Sequence, residues 1–128
     1  MMPLMTRNLL PFLGAIAAMM LGTAVAFADP PEVVEVHAER SGMGWRIDVT
    51  LRHGDTGWDH YADGWEILDA NGKRLGLRKL MHPHVEEQPF TRSLRSVMVP
   101  DGTSVVYIRA RCSADGWHSE KIAVQLGY

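Results

Sequence analysis

The chain of 128 residues has one cysteine, Cys112, so no disulfide can form within it. A lone thiol is either buried and inert or pairs between chains. There is no G-x-S-x-G, no phosphate-binding loop, no dinucleotide fingerprint and no paired-cysteine zinc pattern, which leaves the common nucleophilic and nucleotide-dependent chemistries without their parts. A surplus of basic charge is also missing. The formal net charge is −2, and nucleic-acid binders carry a strongly basic face. Internal repeats, low-complexity tracts and any convincing helical stripe after residue 28 are absent as well. The length holds one domain and has no room for a (β/α)₈ barrel or a two-half dinucleotide fold.

The first 28 residues read as a signal peptide. Arg7 is the only charge before Asp29, Leu9 to Leu21 is apolar, and Ala26-Phe27-Ala28 is a small-x-small exit. That order describes a secretory signal cut between Ala28 and Asp29. The competing reading is a retained anchor, but Pro11, Gly14 and Gly22 interrupt the run, and the strictly apolar core is short of a span of about 20 residues. No cysteine stands near the cut, which speaks against bacterial lipid attachment there. The expected location is periplasmic or secreted, with no stable membrane span after cleavage. Residues 29–128 carry 12 basic and 15 acidic side chains, a net charge of −3.

This second segment reads as all-β. Trp45-Arg46-Ile47-Asp48-Val49-Thr50-Leu51-Arg52 alternates strictly between apolar and polar residues, the pattern of a strand with one buried face. Val34, Val36 and Ala38 alternate with acidic residues and His37 just before it. Val106, Ile108, Ala110 and Cys112 share one face of a β-branched segment, which points the thiol inward. Ile122, Val124 and Leu126 form a last set, and Gly64–Asp69, Arg74–Leu80 and Thr91–Val99 read as weaker strands. Turns at 41–44, 70–72 and 100–102 contain glycine to supply positive φ. The expectation is a single seven-stranded antiparallel β-sandwich of the immunoglobulin or fibronectin III kind over residues 29–128, with a small closed barrel as the alternative.

If every strand reverses direction, the three longer connections, 53–63, 81–90 and 113–117, meet at one end. They hold five of the six histidines, counting His118 at the margin, together with Trp58, Tyr61 and Trp117. Loops of this kind carry function on a rigid scaffold. The expected binding residues are Trp58, Asp59, His60, Tyr61, Glu86, Phe90, Arg92 and Trp117, although Phe90 also reads as the anchor of a lid over the core. Trp65 reads as core. His82-Pro83-His84 is the sharpest local feature. In an extended chain, residues i and i+2 point the same way, and Pro83 favours that geometry for His82. With His60 or His53, and a carboxylate from Asp59 or Glu86, the pair gives a candidate ligand set for Zn²⁺ or Cu²⁺. The plainer reading is a histidine loop held by backbone hydrogen bonds. Asp55-Thr56-Gly57 matches the triplet of aspartic proteases, but it lacks their flanking apolar strand and reads as an ordinary turn.

The run WDHYADGWEILDANGKRLGLRKLMHPHVEEQPFTRSL, from Trp58 to Leu94, resembles a group of uncharacterised small exported bacterial proteins. The resemblance covers roughly the middle third of residues 29–128 and implies no activity. The leading expectation is an exported, non-enzymatic module that binds an unknown protein or small ligand at its loop-rich end, with no nucleic-acid partner and no required cofactor. The alternative is a periplasmic Zn²⁺- or Cu²⁺-binding protein using His82, His84 and His60. A small enzyme comes third. It would need a pocket that holds Asp55, Asp59 or His60.

Overall fold

The computed structural model describes residues 29–127, and the signal-peptide reading lies outside them. The described chain is all-β, with eight strands: β1 (Glu32–Ser41), β2 (Gly44–Arg52), β3 (Ala62–Leu68), β4 (Arg74–Lys79), β5 (Phe90–Val97), β6 (Val105–Cys112), β7 (Gly116–Trp117) and β8 (Ile122–Gln125). They form two antiparallel sheets. One has the order β1-β2-β5. The other runs β4-β3-β6-β7, with β8 also paired to β6. The count is eight where seven strands were expected, because the last stretch beside β6 is broken into β7 and β8. No described helix is long and apolar enough to cross a membrane.

The alternation in β2 does what its pattern predicts. Trp45, Ile47, Val49 and Leu51 are buried from one sheet, and Trp65, Ile67, Val106, Ile108 and Ala110 meet them from the other. Burying a side chain of this size stabilises the fold by about 1.5–3 kcal/mol. Cys112 is fully buried, on the inward face expected of it.

β1 departs from its simple reading. A bulge between Val33 and Glu35 places one extra residue opposite β2. Such an insertion shifts the facing of the residues before it. Val33 therefore packs on the core with Val36 and Ala38, while Val34 is exposed.

The three glycine turns close one end of the sandwich, with Gly42 and Gly72 at positive φ. The three longer loops close the other, and hydrogen bonds stitch them together. His53 N–H donates to the side-chain oxygen of Gln88, His84 N–H to Asp55, and Ser113 N–H to the Tyr61 carbonyl.

Candidate functional site

At the loop-rich end, Asp55 is the centre of a buried polar network. Its side chain is completely covered. Oδ1 accepts from His53 Nδ1 at 2.5 Å and from Ala62 N–H at 2.9 Å. Oδ2 accepts from His84 N–H at 2.8 Å. An ordinary turn aspartate bonds only its own neighbours, so reading Asp55-Thr56-Gly57 as a simple turn understated its role. Gln88 adds a second tie, donating to the His84 carbonyl while accepting from His53 N–H.

His84 stacks on Phe90 with ring centroids 3.8 Å apart and planes 7° from parallel. Arg92 Nη2 donates to His84 Nε2 at 2.8 Å and reaches Glu87 at 3.5 Å. Burial first, then the nearby Arg92 and His82, hold the His84 pKa below its ordinary value. Phe90 is only 3% exposed. It is a core anchor, and the expectation of an exposed recognition aromatic there is corrected. Arg92 braces His84 and is half-buried, and Glu86 is exposed.

The expected metal set does not assemble. The rings of His82 and His84 do come together, at 4.5 Å. However, His84 Nε2 is taken by the Arg92 guanidinium, which leaves its buried, unpartnered Nδ1 as the ring's one free nitrogen. His82 Nδ1 bonds the Pro83 carbonyl. Among the described residues, His60 is gathered with His53 and Cys112 instead. Asp59 is exposed.

Three of the expected binding residues lie together elsewhere. Trp58, 68% exposed, packs edge-on against Tyr61. Tyr61 and Trp117 line a groove of about 380 Å³ with Asp63, Gly64, Leu77, Lys79, Leu80, Met81 and Arg111. The sheet registers explain the concavity. Gly64 pairs with Lys79 on one side and Arg111 on the other, and Arg111 pairs with Trp117. A glycine at the middle of this row leaves a gap that its neighbours wall in. Arg111 is ion-paired with Asp63. Lys79 has no ion-pair partner among the described residues.

Beside the groove, Glu66 is buried and accepts from Arg74 at 2.9 Å and Arg109 at 2.7 Å. Both guanidinium groups lie over the Trp117 ring, at 5.6 and 5.2 Å. The Glu66 clamp and the Asp63–Arg111 pair went unseen in the sequence. Their one signal was the outward facing of Arg109 and Arg111 on β6.

No family model matches the chain, and no solved structure matches it. A protein of Halomicrobium mukohataei described as "Putative lipoprotein" is 39% identical over 93 residues, 72% of this chain. The chain spans 45% of that relative's length.

Proposed function

We propose that the protein is an exported, non-enzymatic binding module whose ligand is a small organic anion with an aromatic or apolar body. The carrying observation is the groove over Gly64, which Tyr61 and Trp117 help to line and where Lys79 offers an uncompensated cation. Its volume falls in the range of small-ligand sites, which are mostly apolar with a few convergent polar groups. Met81 at its edge, 71% exposed, adds an adaptable apolar wall. Export is supported by the description of the Halomicrobium mukohataei relative and by the reading of residues 1–28. A lipid on Cys112 does not fit that residue's complete burial. We also read the sandwich as immunoglobulin- or fibronectin III-like, with β7 and β8 as one interrupted strand.

The test is titration with small aromatic and aliphatic carboxylates, followed by tryptophan fluorescence and calorimetry. Saturable binding that Lys79→Glu and Trp117→Ala each weaken tenfold or more supports the reading. Binding that ignores both variants, or no binding across the panel, overturns it. Metal binding through the His82/His84 loop loses support from the Arg92 contact, and the remaining imidazoles lead elsewhere.

A further inference from the structure

A second cluster of chemistry-bearing side chains lies inside the loop-rich end, between the sheets. His53 follows β2, His60 precedes β3, and Cys112 ends β6. One ligand atom from each lies within 4.8 Å of the others. The His53 and His60 rings meet edge to face, with centroids 5.0 Å apart. His53 and Cys112 are fully covered, so water competes poorly for any ion held there.

Two features of the cluster point to a ligand beyond mere proximity. His60 Nε2 is buried and has no hydrogen-bond partner. Leaving such a group unsatisfied costs about 1–3 kcal/mol, and a metal ion would accept its lone pair. His53 is also held as metal-binding histidines are held. Its Nδ1 donates to a buried carboxylate, Asp55 Oδ1, which fixes the ring and leaves Nε2 as the ligating atom. That nitrogen now lies 2.7 Å from the Asp29 carbonyl, a contact that an ion would replace. The Asp29 carboxylate is 3.7 Å from the same nitrogen but is not gathered with His60 and Cys112, so the protein offers three ligands and the fourth position falls to water.

We propose that His53, His60 and Cys112 form a buried His₂Cys site for Zn²⁺ or Cu²⁺, separate from the His82/His84 pair and from the groove. Two imidazoles and a thiolate suit borderline and soft transition-metal ions, whereas Mg²⁺ and Ca²⁺ require oxygen donors. Tetrahedral bonds of about 2.0 Å to nitrogen and about 2.3 Å to sulfur place ligand atoms roughly 3.3–3.7 Å apart. Closure from the present spacing takes about an ångström. On binding, the Cys112 S–H and the His53 Nε2–H that faces the Asp29 carbonyl each release a proton to solvent, and the electron pairs left on sulfur and nitrogen form the two bonds to the metal. No electron is transferred.

The experiment uses the full chain after chelator treatment, titrated with Zn²⁺ and Cu²⁺ and with Co²⁺ as the spectroscopic probe. The expected result is one ion per chain, with a thiolate-to-metal charge-transfer band for Co²⁺ or Cu²⁺. The band disappears in Cys112→Ser, affinity falls at least tenfold in His60→Gln, and neither changes in His82→Ala. Circular dichroism confirms that each variant folds. If Cys112→Ser does not fold, His60→Gln carries the test through the same band. The proposal is overturned by three outcomes: no stoichiometric binding, a bound ion without a thiolate band, or binding that survives Cys112→Ser and is lost in His82→Ala.

Discussion

Asp55 Oδ2 accepts the backbone N–H of His84 at 2.8 Å, joining loops 29 residues apart at a point closed to solvent. The same carboxylate holds His53 and Ala62 N–H, so three segments share one side chain. Asp55→Ala strands three buried donors at once. Breaking a buried, hydrogen-bonded pair costs about 3–5 kcal/mol. The expected outcome is a loss of this size in urea unfolding, with His84 amide exchange accelerated before global unfolding. A loss below about 1 kcal/mol would show that Asp55 is not what holds the loops.

Glu66 is a comparable case in a wetter setting. It is 2% exposed, but its partners Arg74 and Arg109 reach solvent, so the pair energies are screened. Glu66→Ala is expected to cost about 2 kcal/mol, below the fully buried case. Because both guanidinium groups lie over Trp117, releasing them should also change the fluorescence of that ring. An unaltered Trp117 signal, measured with the other tryptophans replaced by phenylalanine, would mean that the clamp does not position it.

Acid stability should fall in two separate windows. His84 has a pKa held below its ordinary 6.5, first by burial and then by Arg92 and His82. Below 6.5 the unfolded chain binds a proton that the folded chain refuses. Stability is therefore present above about pH 6.5 and lost as pH falls through the folded value. Burial pushes Asp48 upward, but hydrogen bonds from Ser93 and Arg46 and the charges of Arg46 and His37 outweigh it, leaving its pKa below 3.8. Its contribution is present above 3.8 and lost at lower pH. Melting of chelated protein against pH should show both steps. His84→Gln should remove the first only and Asp48→Asn the second only. A His84 proton resonance titrating at or above 6.5 would refute the first.

How much of this was readable from sequence follows from the range of each interaction. The β2 face from Trp45 to Leu51 is a local alternation, and local alternation is enough to bury it. The meeting of the three long loops followed from counting reversals. The β1 bulge did not, because an inserted residue is set by pairing with β2 and leaves no mark in Val33-Val34-Glu35. Phe90 reads both as an exposed aromatic and as the anchor of a lid, and its local sequence does not choose between the two. Phe90 opens β5, opposite Leu51, and its burial is decided by a strand 39 residues away. Cys112 was expected to be inward, but two imidazoles arriving from the 53–60 segment were visible only in three dimensions.

Two glycines make opposite demands on their surroundings, and alanine separates them. At Gly44 a Cβ would come 2.9 Å from the Val97 carbonyl oxygen, with Ser96 backbone atoms at 3.3 Å. Those atoms belong to β5 and cannot move without distorting the pairing with β2. At Gly76 the nearest atom is Leu94 Cδ2, 2.8 Å away, the far end of a side chain able to rotate. The core beneath includes Ile67 Cδ1 at 3.4 Å, so some crowding remains. Overpacking that displaces backbone falls in the upper part of the usual range of about 1–3 kcal/mol, and crowding relieved by a rotamer change in the lower part. Gly44→Ala should therefore cost about 2 kcal/mol or more and Gly76→Ala about 1 kcal/mol or less. Urea unfolding of both variants checks the order, and a reversed order would mean that the β2–β5 pairing yields more easily than the Leu94 side chain.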